Sequence, residues 1–166
     1  MKNNLKNMSI NEISYHIRGA VYDVYKALGP GLLESVYEEA LCFELEERGL
    51  KVDRQVQVPI IYKGRALKTE LRLDLLVEDL VIVELKSVVE MRDVYYKQTL
   101  TYCKLFKKRL GLQVNFNTED ILNSIYRVAN GLDGHAENAE NAEKVSQKAR
   151  KTLKYFSQKA QKTQKD

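Results

Sequence analysis

Asp74, Glu84 and Lys86 are the residues of this chain whose types and spacing could do chemistry. They lie in the stretch from Glu70 to Lys86, Glu-Leu-Arg-Leu-Asp-Leu-Leu-Val-Glu-Asp-Leu-Val-Ile-Val-Glu-Leu-Lys, which reads as two short strands joined by a tight turn at Glu78-Asp79. In the first strand Leu71, Leu73 and Leu75 point one way and Glu70, Arg72 and Asp74 the other. In the second, Val81, Val83 and Leu85 alternate with Ile82, Glu84 and Lys86, so Glu84 and Lys86 share a face. Pairing through the turn brings Asp74 to that face as well. Two carboxylates and an ammonium would then converge on an otherwise apolar sheet, where unpaired charge is costly. The carboxylates are hard oxygen donors of the kind that hold Mg²⁺ or Mn²⁺. The plainer reading of the same residues is a structural network of cross-strand ion pairs.

The elements that must position these groups are legible around them. Ser9-Ile10-Asn11-Glu12 forms a capping box, and Ile10, Ile13, Ile17, Val21, Val24 and Leu28 recur at helical spacing, which predicts a helix over 10–28. Gly29-Pro30-Gly31 stops it. A second helix is expected over 32–48, with Leu33, Val36, Tyr37, Ala40, Leu41 and Leu45 as its apolar stripe. Its other face, with Glu38, Glu39, Glu46 and Glu47, reads as solvated. Glu34 sits in its first turn. It reads either as a carboxylate favoured by the helix dipole or as one that the Gly-Pro-Gly hinge aims into a cleft.

Residues 52–62 alternate as a strand, placed toward an edge by Pro59, which has no N–H to donate. Lys63-Gly64-Arg65 makes a turn into the Asp74 strand, so three consecutive strands form an antiparallel meander. A third helix is expected over 94–108, with Gln98 and Tyr102 one turn apart on a stripe of its own. Residues 111–116 alternate as a fourth strand, reached by a helical crossover that implies parallel pairing. A short last helix is expected over 121–128. His16 carries no assignment, and Cys42 and Cys103 read as buried reduced thiols.

Helix, helix, three strands, helix, strand, with Asp74 and Glu84-x-Lys86 on the second and third strands, resembles the PD-(D/E)XK nuclease superfamily. More narrowly the chain is similar to the GxxExxY family, through Gly31-Leu32-Leu33-Glu34-Ser35-Val36-Tyr37, Arg72-Leu73-Asp74, Val83-Glu84-Leu85-Lys86 and Asn115-Phe116-Asn117. The resemblance covers roughly residues 10 to 130. It implies an α/β (α+β) fold, a restriction-endonuclease-like core with a small mixed sheet of about four strands flanked by helices. It also implies a metal-dependent phosphodiesterase acting on DNA or RNA. Glu34 then joins Asp74 and Glu84 as a third carboxylate around Mg²⁺ or Mn²⁺, and Lys86 orients the attacking water or neutralises transition-state charge. Gln98 and Tyr102 resemble the exonuclease branch and would steady the site or the nucleic acid. Tyr37 supports the site, and Arg72 holds either a phosphate or a carboxylate. The alternative function is a catalytically silent module with the same fold that binds nucleic acid or a protein partner.

At 166 residues the chain suits one domain with a proper core. The net charge of +4 divides unevenly: residues 141–166 carry +6 and residues 1–140 carry −2. We therefore expect a nuclease-like domain over 1–131 and a basic, mostly solvated tail over 132–166. No apolar run is long enough to span a membrane. No apolar segment follows Met1-Lys2-Asn3-Asn4, so the expected location is the cytoplasm. A homo-oligomer is compatible with all of this.

Overall fold

Ser9 opens the first helix as the sequence predicts: its hydroxyl accepts the Glu12 N–H while the Glu12 carboxylate accepts the Ser9 N–H. The computed structural model describes residues 8–69 and 71–131. The tail expected over 132–166 and the first residue of the Glu70–Lys86 stretch lie outside them. Helix α1 (Ile10–Leu28) buries Ile13, Ile17, Ala20, Val21 and Val24. Gly29, at φ 69°, ends it in a conformation that favours glycine, and its N–H returns to the Tyr25 carbonyl. Helix α2 (Glu34–Glu47) buries Tyr37, Leu41, Cys42 and Leu45.

Strands β1 (Val52–Val58), β4 (Leu71–Val77), β5 (Val81–Lys86), β6 (Leu110–Asn115) and β7 (Ile125–Ala129) form one mixed sheet in the order β1-β4-β5-β6-β7. β1, β4 and β5 are the expected antiparallel meander, with β1 on the edge. β5 and β6 pair in parallel across α3 (Asp93–Leu105). Glu78 and Asp79 both have φ above +50°, the backbone of a two-residue hairpin turn between β4 and β5. Between β1 and β4 a separate two-stranded ribbon, β2 (Ile61–Tyr62) and β3 (Arg65–Ala66), stands off the sheet.

Three expectations change. The strand expected over 52–62 ends at Val58, and Lys63-Gly64 turns the β2–β3 ribbon and does not lead directly into β4. The sheet has five strands, where about four were expected, because residues 125–129 pair antiparallel with β6 and are not helical. Only Leu122–Ser124 makes a short 3₁₀ turn. Ile125, Tyr126 and Val128 are β-branched or aromatic and suit the open edge that β6 presents.

One apolar cluster joins α1 and α2 to Leu75, Val77, Val81, Val83 and Leu85. A second joins Tyr102 and Cys103 of α3 to Leu73, Leu76 and Ile82. Leu75 thus packs with α1 and α2, whereas Leu73 packs with α3, and the two faces of β4 exchange across Asp74. Gly111 lets α3 approach β6: an added Cβ would lie 2.5 Å from the Thr99 methyl and 3.0 Å from Cys103 Sγ. Gly111→Ala should therefore cost about 1–3 kcal/mol by overpacking. The check is a thermal melt, which should fall by several degrees, against an unchanged control such as Lys97→Ala on the exposed face of α3.

Candidate active site

Asp74 stands where the β4–β5 ladder ends. The last paired residues are Leu75 and Val83, and beyond them side chains replace backbone in the bridging. Asp74 Oδ2 accepts the Leu85 N–H at 2.7 Å, and Glu84 Oε1 accepts the Asp74 N–H at 3.2 Å. The two carboxylates thus fill the gap that the splaying strands open. On the other side of β4, Gln55 has φ 48° and interrupts the β1 pairing between Arg54 and Val56.

Burial sets the electrostatics of this pair. Glu84 is 2% exposed. Desolvation pushes its carboxyl up to about 8, the neighbouring Asp74 adds to the rise, and Lys86 opposes it. Asp74 is raised by the same desolvation, against the Leu85 N–H bond and Lys86, which hold it down. Two like charges in a poorly hydrated gap cannot both stay ionised cheaply.

Lys86, next on the Glu84 face, is half-buried. Its ammonium donates to the Leu85 carbonyl at 2.9 Å and lies 5.7 Å from the Tyr95 ring centroid, a cation–π contact with α3. Among the described residues it makes no ion pair, which the structural-network reading needs. Tyr102 is buried against the same pair: its hydroxyl accepts from Gln98 at 2.9 Å, and desolvation raises it, with Glu84 and Asp74 adding to the rise. Gln98 and Tyr102 are therefore joined one turn apart, as their spacing predicts, and the charges of Glu84 and Asp74 are felt at Tyr102. Behind Glu84, a buried pair closes the floor: Thr99 donates to Gln113 Oε1 at 2.5 Å, and Gln113 donates to the Glu84 carbonyl at 3.3 Å.

Glu34 reaches the site from α2. Its Oε1 accepts the Ser87 N–H at 3.0 Å while the Ser87 hydroxyl donates to the Leu32 carbonyl at 2.7 Å, which ties the start of α2 to the end of β5. Its charge is felt at both Asp74 and Glu84. Glu34 is exposed in the first turn of α2, and its tie to Ser87 sets it beside the end of β5. Tyr37 explains how. Its ring is fully buried and stacks on Phe116 with centroids 4.2 Å apart, and its hydroxyl donates to the Gly29 carbonyl at 2.7 Å and accepts the Leu32 N–H at 3.1 Å. The Gly-Pro-Gly turn is thus pinned from beneath. Tyr37→Phe leaves two polar backbone groups unpaired, at about 1–3 kcal/mol if they stay dry. It should lower the melting temperature and speed hydrogen exchange of the Leu32 amide while distant α1 amides keep their protection.

Arg72 is exposed on β4 opposite Gln57 and is engaged by other groups of the chain. Sequence reasoning missed Glu38, which was assigned to the solvated face. It is 7% exposed, pairs with Arg54 at 3.1 Å, accepts from Gln55 at 2.5 Å, and raises Asp74. Its position one turn after Glu34 was the available signal. Asn115, which the sequence marked only through the family resemblance, has a side-chain amide that holds both the N–H and the carbonyl of Val88 and so fixes the segment after Lys86.

Among the described residues, no group of three His, Cys, Asp or Glu side chains is gathered closely enough to hold a metal ion as placed. The donor set nevertheless fits one. Asp74, Glu84 and Glu34 each give one oxygen to a backbone N–H, and no hydrogen bond among the described residues engages the second oxygen of any of them. A cation there would also offset the charge that burial opposes at Glu84.

Residues 11–128 match the family model of the PD-(D/E)XK nuclease superfamily. Neither the curated proteins nor the solved structures gave a match. No helix among the described residues is long and apolar enough to cross a membrane.

Proposed function

Because the chain belongs to the PD-(D/E)XK nuclease superfamily, we propose that it hydrolyses phosphodiester bonds in DNA or RNA with a divalent cation, Mg²⁺ or Mn²⁺. The observation that carries this reading is the Asp74–Glu84 pair in the gap where β4 and β5 splay, with a free second oxygen on each and Glu34 tied to Ser87 just beyond the end of β5. The narrower kinship with the GxxExxY family rests on the residues from Gly31 to Tyr37, whose Tyr37 lock is what delivers Glu34. A cation held by these carboxylates supplies polarisation of the scissile phosphate and acidification of a water.

The chain's own groups do the rest. The backbone N–H groups of Leu85, Asp74 and Ser87 fix the three carboxylates before any substrate arrives, so little reorganisation remains at the moment of reaction. Lys86 brings a positive charge to the same face, where negative charge grows on the phosphate. Its bond to its own neighbour's carbonyl is readily exchanged for a phosphate oxygen. Tyr102 and Gln98 line the α3 side, and Tyr102 keeps its proton as a donor because burial holds its acidity down.

A silent module is the second reading, favoured by the −2 balance of residues 1–140, since a duplex-gripping enzyme usually offers a basic channel. The test is a panel of end-labelled single-stranded DNA, duplex DNA and RNA incubated with Mg²⁺ or Mn²⁺. Cleavage of at least one class that EDTA stops is the expected result. An intact panel together with no measurable metal binding would leave the silent module standing.

A further inference from the structure

The ribbon β2–β3 has no part in the core. Residues 61–69 are all exposed, and the ribbon is closed only by its own pairing, Ile61 with Ala66 and Tyr62 with Arg65, and by the Leu67 N–H on the Ile60 carbonyl. A segment kept in the fold without burying anything calls for a use.

Its chemistry is distinct from that of the body. Between Asp53 and Glu70 the chain carries Arg54, Lys63, Arg65 and Lys68 and no acidic residue, although residues 1–140 as a whole are net acidic. Arg54 is spent on Glu38. Among the described residues no ion pair engages Lys63, Arg65 or Lys68. Beside these cations stands Tyr62, 61% exposed, paired across the ribbon with Arg65 and with the Lys63 ammonium 5.6 Å from its ring centroid. An exposed aromatic ring beside unpaired cations is the combination that stacks a base and tracks a phosphate backbone.

Its position is equally specific. β1 and β4 part after the Val58–Leu71 pair, and the ribbon fills the connection between them. Leu71 is three residues from Asp74, about 10 Å along an extended strand. The ribbon therefore rises from the end of the sheet that holds the carboxylates.

We propose that the β2–β3 ribbon is a binding arm for single-stranded nucleic acid, with Tyr62 stacking on an unpaired base and Lys63, Arg65 and Lys68 holding the phosphates on either side, so that the strand leads into the Asp74–Glu84 cleft. This rests on the nuclease reading for the use of the arm, and the binding itself is measurable without turnover. A single strand is favoured over a duplex because base faces are open to Tyr62 only when unstacked. The three cations also cover a few phosphates and make no channel for two backbones.

The experiment measures fluorescence anisotropy of a labelled oligothymidylate and of a duplex of the same length, without metal, across a salt series. The proteins are the full chain, Tyr62→Ala, the triple variant Lys63→Ala/Arg65→Ala/Lys68→Ala, and a charge-matched control in the basic tail, Lys151→Ala/Lys154→Ala/Lys159→Ala. All substituted ribbon side chains are exposed, so melting temperatures should match wild type. The arm predicts that Tyr62→Ala weakens single-strand binding about tenfold. The ribbon triple should weaken it further and flatten the salt dependence by about two units of slope, with the tail triple doing less and the duplex bound more weakly throughout. Ribbon variants that bind like wild type, or lose no more than the tail variant, overturn it. So does a dimer that Tyr62→Ala converts to monomer with oligonucleotide binding unchanged. Cleavage separates the two readings: an arm that binds in a protein that never cuts refutes only the enzyme. A protein that cuts, with ribbon variants unchanged in kcat/KM and affinity, refutes only the arm.

Discussion

Lys86→Ala should abolish cleavage, with a loss of about 10²–10³ in rate, while the melting temperature stays within about two degrees of wild type. The first half follows from where Lys86 sits. It is the positive charge that acts on both Asp74 and Glu84, on the face where phosphate charge would grow. The second half follows from what it does not do. Its ammonium bonds its neighbour's carbonyl and faces Tyr95, and no carboxylate depends on it for a direct ion pair. Removing it from a structural network would strand two buried carboxylates at a cost of about 3–5 kcal/mol. Here Glu84 already favours its protonated form at neutral pH, so loss of the lysine is met by proton uptake. Side-by-side melts and initial rates decide between the two accounts. A variant that loses both stability and activity would support the network.

Glu84→Gln should have the opposite profile in stability and the same one in activity. In the metal-free protein the Glu84 carboxyl is raised from 4.5 to about 8. The folded state therefore binds more protons than the unfolded state across that interval. Stability is highest below about pH 4.5 as far as this group is concerned, and falls as pH rises toward 8. Asp74, also raised, adds a fall of the same sign from its own ordinary range upward. Gln retains the oxygen that accepts the Asp74 N–H and removes the charge. The variant should thus melt several degrees above wild type at pH 8, show little difference at pH 5, and lose cleavage by about 10² or more. Adding Mn²⁺ should raise the wild-type melt at pH 8 through binding to the folded state and leave Glu84→Gln nearly unmoved. Melting curves at the two pH values, with and without metal, check every sign.

Most of what positions this site is written locally. The Ser9–Glu12 capping box, the glycines after α1 and the Glu78-Asp79 turn each fix their own few residues, and each is found in the structure. Residues 121–128 misled because Ile121, Leu122, Ile125 and Val128 satisfy a helical spacing over a segment too short for periodicity to decide. What decided was the open edge of β6, a tertiary fact. The Asp74–Glu84 pairing was legible because strands alternate. The exchange of β4 faces at Asp74, with Leu73 on one side and Leu75 on the other, was not, since it comes from the splay of β4 from β5 and the distortion at Gln55. Glu34 and Glu38 show the same boundary. Both sit on an acidic helix, and only partners from distant parts of the chain, Ser87 for Glu34 and Arg54 for the buried Glu38, set them apart from their exposed neighbours.

The central claim is that Asp74, Glu84 and Glu34 together hold a divalent cation, and it can be tested without knowing the substrate. Mn²⁺ titrated calorimetrically into the full-length protein at pH 8 should give saturable binding that Asp74→Asn and Glu84→Gln each remove while their folds stay intact by melting. Wild-type protein that gives no binding heat, or variants that bind as wild type does, would contradict it.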